Sequence, residues 1–423
     1  MENKMRVDIA AGRLKSSTKG NYLSGIFKSI ILKRFNNIQF GHIKLTDGKE
    51  VYSFGDPESE STVHVQVLSP DFYLLLGSGG LMGAAESYTA GCWKADDLVA
   101  LIRNIFRNKD VMSQLDSGWA LLFKPINKLL HWLRKNSLSG SKQNILAHYD
   151  LSNEFYQLWL DETMTYSCGF FKDRNSTMMD ASIEKLDRIC RKLDIQSGDS
   201  ILEIGTGWGS FAIHAAKNYG CHVTTTTISD AQYEMAQNRI QKADLENKIT
   251  LLKDDYRNLS GQFDKIVSIE MIEAVGHQYV PLYFQKVSSL LKKDGLFAMQ
   301  GITYNDQNFD IYTGSVDFIK KYIFPGSCLI SVSQVTEAMK KYTDLSLSHL
   351  EDITLHYATT LKTWRENFLG ELEAVKKLGF SNEFINMWEF YFVFCEAGFR
   401  ERNIGDYQFI FSKSGSQNIR VEY

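Results

Sequence analysis

Residues 199–210 read Asp-Ser-Ile-Leu-Glu-Ile-Gly-Thr-Gly-Trp-Gly-Ser, an apolar strand that runs into a turn with glycine at alternate positions and then into an apolar-periodic helix. Ile201, Leu202 and Ile204 suit a buried parallel strand, while Gly205, Gly207 and Gly209 let the backbone turn tightly and lie against a ligand with no Cβ between. Glycine pairs after strands also mark plain turns, so the surroundings decide. A dinucleotide site would carry a third glycine near Phe211 and an acid at the end of the next strand, and neither stands here. The carboxylate comes before the glycines instead, at Glu203. A second acid, Glu273, lies between Ile272 and Ala274 in an apolar stretch after a strand-like run. Burying an unpaired carboxylate is costly, so chemistry explains Glu273 better than packing does. His148 and His277 lack metal-ligand spacing, and no metal site is expected. The glycine-rich Gly77–Glu86 lacks the Gly-Lys-Ser/Thr ending of a phosphate loop, which leaves close packing or a turn.

These residues must be positioned by a chain of 423 residues, 44% hydrophobic and 23% charged, which is enough for two or three domains and a large core. A net charge of −3 gives no general case for nucleic-acid binding. Six cysteines (Cys92, Cys168, Cys190, Cys221, Cys328 and Cys395) are scattered without a Cys-x-x-Cys pair, and the N-terminus has no secretory apolar run. Free thiols in a reducing cytoplasm are expected. No apolar run approaches the roughly 18 to 20 residues of a spanning helix, so membrane contact would be peripheral. After a polar lead-in over 1–21 come an amphipathic helix from Tyr22 to Phe35, strands at Gln39–Leu45, Val51–Phe54 and Val63–Leu68, and a helix from about Ala95 to Arg107, together a small α+β module. Residues 118–135 carry an apolar stripe (Trp119, Leu122, Phe123, Ile126, Leu129, Leu130, Leu133) beside Lys124, Lys128, Arg134 and Lys135, either a buried interdomain helix or an interfacial one drawn to anionic headgroups. The domains expected are 1–135 (α+β, lipid-associating), a polar linker at 136–146, and a catalytic domain at 147–423. In the last, strands at Ser200–Ile204, His222–Thr226, Ile249–Leu252, Lys265–Ile269 and Gly295–Ile302 alternate with helices, giving a doubly wound α/β sheet. The Met and aromatic stripe Met387–Phe399 is core or the wall of an acyl pocket.

Ala147-His-Tyr-Asp-Leu, Tyr166-Ser-Cys168, Leu202-Glu-Ile-Gly-Thr-Gly-Trp-Gly209, Thr227-Ile-Ser-Asp-Ala-Gln232, Asp255-Tyr-Arg257, Ile269-Glu-Met-Ile-Glu-Ala-Val-Gly276, Lys321-Tyr-Ile-Phe-Pro-Gly326 and Cys395-Glu-Ala-Gly-Phe-Arg400 together resemble, in order, the catalytic domain of cyclopropane fatty acid synthases. Ala85-Glu-Ser-Tyr88 and Gly91-Cys-Trp93 are similar to that family's N-terminal module. The resemblance implies a class I S-adenosylmethionine (SAM) methyltransferase fold, Rossmann-like, with a smaller N-terminal α+β domain. It implies SAM contacts at Tyr166, Ser167, Glu203, Gly205, Gly207, Thr227, Ile228, Ser229, Gln232, Asp255 and Tyr256, although Tyr256 also suits the core. The carboxylate of Glu203 would lie near the cationic sulfonium end.

The reaction implied delivers a methyl group to a cis double bond of a phospholipid acyl chain, and a base then takes a proton from the resulting cation so that a cyclopropane closes. Such a site needs a dry apolar tunnel, aromatic faces and well-placed acceptor oxygens. In the family a bound bicarbonate is thought to be that base; its holders here would be Cys168, Glu273, Tyr322 and the backbone at Ile302. The family's histidine is Gln300 in this chain, an amide that can hydrogen-bond an anion but takes no proton. The pairing of Gln300 with Glu270-Met-Ile-Glu273 resembles the branch containing plant enzymes. Cys395 lies in a strong family segment that serves either chemistry or packing. Methyl-branched products, another acceptor, or a silent lipid- or SAM-binding protein are the alternatives. A homodimer at the inner face of the membrane is the implied setting, with the phospholipid bilayer as partner.

Overall fold

The computed structural model describes residues 18–115, 151–414 and 416. The possible interfacial helix at 118–135, the linker, His148 and the His-Tyr-Asp opening lie outside them. Two compact units make up the chain: residues 1–123 with Asn382–Phe390, and residues 124–381 with Tyr391–Tyr423. The helix Asn382–Arg400 thus gives its first turns to one unit and its remainder to the other.

The first unit holds a four-stranded sheet of β1 (His42–Asp47), β2 (Glu50–Gly55), β3 (Thr62–Val67) and β4 (Trp93–Ala95) in the order β2-β1-β3-β4. Asp47 pairs with Glu50, so Gly48 and Lys49 make a two-residue turn, with Gly48 in the left-handed region at φ 59°. The first strand starts at His42 rather than at Gln39. The amides of Gln39 and Phe40 donate instead to Asn108 Oδ1, at 2.7 and 3.2 Å, and so leave the ladder. The glycine-rich stretch lies inside the helix Asp71–Thr89, which kinks at Gly80 (φ 60°, ψ −138°). A Cβ on Gly77 would come within 2.2 Å of the Phe27 ring, so close packing is the outcome there. Phe27, Ile31 and Phe35 bury one side of the helix Thr18–Phe35, while Leu23, Ile26 and Ile30 stay exposed on it.

The second unit is built on a seven-stranded sheet: β5 (Ser200–Ile204), β6 (His222–Thr226), β7 (Ile249–Leu252), β8 (Phe263–Ile269), β9 (Leu291–Tyr304), β10 (Leu345–Asp352) and β11 (Ile404–Lys413). Their order is β10-β11-β9-β8-β5-β6-β7. From β5 to β9 neighbours are parallel, while β11 inserts antiparallel beside β9 and pairs with β10. The first three strands fall where the sequence predicts; β8 and β9 are longer, and the antiparallel pair β10 and β11 is an addition. The central strands are buried along nearly their whole length, as parallel strands covered on both faces must be. Strand order reverses between β5 and β8, and the crevice beyond their carboxyl ends is where an open α/β sheet binds its ligand.

Candidate active site

The glycine turn leaves β5 at that reversal. Gly205, Gly207 and Gly209 take φ of 101°, 53° and 87°, and the last caps the helix Ser210–Tyr219. A Cβ on Gly207 would meet nothing within 4 Å, so the turn has open space above it. A Cβ on Gly205 would lie 3.1 Å from Met271 Cγ, which puts the loop after β8 directly against the turn. The preceding Glu203 is buried and accepts from Thr225 Oγ1; burial outweighs that bond and the field of Lys185 and pushes its carboxyl up to about 8. A cationic ligand would relieve that penalty, and open space with a cation-seeking acid fits SAM.

The segment leading to Tyr166 and Ser167 packs on this turn. Trp208 Nε1 donates to Asn153 Oδ1 at 2.8 Å and its ring lies 5.0 Å from Tyr156, while Ser210 Oγ donates to the Thr163 carbonyl. Tyr166 meets Tyr391 hydroxyl to hydroxyl at 2.9 Å, and its ring lies 5.3 Å from both Trp159 and Trp364 and 6.3 Å from Phe324. Ser167 Oγ accepts from Lys185 Nζ at 2.7 Å. After β6, Thr227 Oγ1 donates to Gln232 Oε1, and Ser229 caps the helix Asp230–Lys242 by accepting from the Gln232 amide; Ile228 between them is half-buried. Two expected contacts are engaged elsewhere. Asp255 takes Arg257 Nε and Nη2 at 2.8 and 2.6 Å; burial pushes its carboxyl up but this pairing brings it below the ordinary range. Tyr256 goes into the core against Tyr283, 5.5 Å away, where burial pushes its hydroxyl up to about 12.

Beyond β8 lies a buried acid cluster. Glu270 adopts φ 48°, a left-handed conformation that non-glycine residues hold only when surroundings impose it, and its amide donates to the Gln300 carbonyl at 2.8 Å. Glu273 Oε1 accepts from the Ile302 amide at 2.5 Å, and a Cβ at Gly301 would come within 2.9 Å of Ile272 Cγ2, beside that carboxyl. Its Oε2 has no protein partner, and burial followed by repulsion from Glu270 pushes the acid up to about 8. Glu273 is therefore a neutral acid at pH 7, with a free oxygen suited to an anion. Gln300 Nε2 donates to Glu270 Oε1 at 2.8 Å and to Asp406 Oδ2 at 3.2 Å. Cys168 enters through its backbone, whose N–H donates to Glu270 Oε1 at 2.8 Å; its thiol faces the carbonyls of Gly169 and Ile353, and burial holds it well above the usual range. Glu273, Gln300, Ile302 and Cys168 thus converge. Tyr322 packs on Phe318 at 5.5 Å under the Lys321 ammonium, and the Tyr357 hydroxyl donates to Glu270 Oε2 at 2.6 Å. Cys395 keeps some surface, but burial raises its enclosed thiol far above neutrality, so it is no thiolate nucleophile. Sequence reading missed Asp406, Tyr357 and Lys185. Among the described residues no group of three potential ligands is arranged to hold a metal ion.

A profile of the mycolic acid cyclopropane synthetase family matches residues 136–409. Tuberculostearic acid methyltransferase UfaA1 of Mycobacterium tuberculosis is 34% identical over 358 residues, 80% of this chain and 81% of that protein. The cyclopropane-fatty-acyl-phospholipid synthase of Escherichia coli (strain K12) is 34% identical over 361 residues, 84% of this chain and 90% of its own length. The solved mycolic acid cyclopropane synthase CmaA1, complexed with SAH and CTAB, has a TM-score of 0.60 and 29% identity, over 64% of this chain and 98% of that one. The chain belongs to the mycolic acid cyclopropane synthetase family and has the fold of the class I SAM-dependent methyltransferases.

Proposed function

We propose that this enzyme adds a methylene group from SAM to the cis double bond of an unsaturated phospholipid acyl chain, giving a cyclopropane. The observation that carries the reading is Glu273: a buried acid, held by the Ile302 amide, with a free Oε2, on the loop that touches the glycine turn. Bound SAM supplies an electrophilic methyl group, and a bicarbonate ion would supply a base strong enough to deprotonate a carbocation. This chain's residues do the rest. Glu273, protonated, offers an O–H to the anion where a carboxylate would repel it. The aromatic rings of Trp159, Tyr166, Phe324, Trp364 and Tyr391 form one connected cluster, whose π-faces stabilise a passing cation and exclude water. Gln300 stays neutral at every pH, so no imidazole titrates here.

A second reading keeps the methyl transfer and changes the product to a methyl branch. It is favoured by the equal 34% identity to a tuberculostearic acid methyltransferase and a cyclopropane synthase, and the same cation leads to either. Incubation with SAM and dioleoyl phospholipid vesicles tests both: cyclopropanation adds the mass of one CH2 per modified chain, and proton NMR separates ring from branch. No gain in mass would leave a silent SAM- or lipid-binding protein. The setting we propose is a homodimer acting peripherally on a membrane surface. Among the described residues no helix is long and apolar enough to cross a membrane, and the exposed Leu23, Ile26 and Ile30 support surface contact.

A further inference from the structure

Lys192, on the helix Met178–Lys192, fixes the orientation of two buried amides. Its ammonium has only hydrogens to give, so the Gln408 atom 2.6 Å away must be the amide oxygen. Gln408 Nε2 then donates to Gln300 Oε1 at 3.0 Å, and Gln300 must turn its NH2 to the acids, one hydrogen each to Glu270 and Asp406. Sharing one NH2 group, the two carboxyls stand side by side. Like charges this close in a buried site do not both persist.

The donors around the pair are unevenly shared. Glu270 takes three, from the Cys168 amide and Gln300 on Oε1 and from the Tyr357 hydroxyl on Oε2. Asp406 takes Gln300 on Oδ2 and has the Cys168 thiol as a further, weaker donor, while its Oδ1 has no partner. Donors stabilise a carboxylate and do little for an acid, so the charge belongs on Glu270 and the proton on Asp406. Lys185, Cys168, Glu273, Tyr357 and Tyr391 are the other titratable groups facing them, and Lys185 is the cation among these, enough to balance one charge and not two. Burial holds Glu270 above, and Asp406 well above, the ordinary carboxyl range.

We infer that Glu270 and Asp406 work as one acid and carboxylate pair, a single proton between them, and that the charged Glu270 positions Tyr357 by taking its hydroxyl hydrogen. With that hydrogen used, the Tyr357 oxygen offers its neighbours only lone pairs, the polarity that suits a developing cation. Glu270 is a positioning residue whose catalytic effect rests on the methyl-transfer reading above, and Asp406 only holds the shared proton. One chemical change, carboxyl to amide, separates the two roles. In Asp406→Asn an amide replaces the neutral acid, and Tyr357 keeps its orientation. In Glu270→Gln the amide oxygen is taken by Cys168 and Gln300, and the NH2 must face Tyr357 and reverse its hydroxyl.

The test compares both full-length variants with wild type at pH 7 by infrared difference spectroscopy, SAM binding and turnover on dioleoyl vesicles. Asp406→Asn should lose one protonated-carboxyl C=O band and keep kcat within about threefold. Glu270→Gln should lose about tenfold or more in kcat, with SAM affinity close to wild type in both. Equal losses in the two variants, or an intact set of carboxyl bands in Asp406→Asn, would overturn the inference. If no lipid turnover is seen even in wild type, the methyl-transfer reading fails, and the infrared bands alone still decide whether the pair shares a proton.

Discussion

Glu203 and Glu273 carry opposite obligations at almost the same acidity. Each has a carboxyl raised to about 8, in both cases mainly by burial, but Glu203 stands at the glycine turn and Glu273 at the free-oxygen end of the acid cluster. The raised value has a fixed sign in stability. As pH climbs from the ordinary carboxyl range, the unfolded chain releases its proton first, so the stabilising contribution is whole below about 4.5, falls through the interval to about 8, and is gone above it. Glu203→Gln removes that dependence. Its melting temperature relative to wild type should therefore climb between pH 5 and pH 9 by several degrees, at about 2–4 °C per kcal/mol for a unit of this size; parallel curves would refute a buried neutral Glu203. Glu273→Leu, which leaves no hydrogen to offer the anion, should lower kcat by about a hundredfold with SAM affinity unchanged, and turnover equal to wild type would remove Glu273 from the reaction. Glu273 was legible in the sequence because a lone charge in an apolar stretch demands a reason. Asp406 was not, since Gly405-Asp-Tyr-Gln408 reads like any polar loop until β11 places it opposite Ile302, within reach of the Gln300 side chain.

At the level of elements, the turn after β5 and the loop after β8 act together. Three left-handed glycines and the left-handed Glu270 let two loops touch at Met271. Gly207→Val meets a backbone cost of about 1–2 kcal/mol and fills the open space with a branched side chain. SAM binding measured calorimetrically should weaken by about tenfold or more, while a Kd equal to wild type would move the cofactor elsewhere. The helix Thr18–Phe35 makes a separate claim: Leu23, Ile26 and Ile30 lie on one exposed side with Lys33. Replacing the three apolar residues with serine should cut co-sedimentation with anionic vesicles by about tenfold, and unchanged sedimentation would assign lipid contact to another surface.

For the whole molecule, alternation of strand and helix made the doubly wound sheet readable, because buried parallel strands are nearly continuous apolar runs and the glycine turn marks the first of them. The site was half readable. Motif order named Glu273, Gln300, Ile302 and Cys168, which do converge, and did not name Tyr357, whose hydroxyl lies beside them. Short-range pattern could not reveal this, since Cys168, Glu270, Tyr357 and Asp406 come from segments far apart in the chain and meet only when β11 inserts between β9 and β10. Lys185 was hidden differently: Glu184-Lys-Leu-Asp-Arg188 reads as a solvated helix face, yet Lys185 is fully buried. What the assembled chamber is for can be read from the fate of one methyl group. With SAM carrying a CD3 group and dioleoyl vesicles, ring closure after loss of one deuterium leaves two on the new ring carbon. A product that keeps all three deuteriums, or acyl chains with no added carbon, would contradict the proposed chemistry.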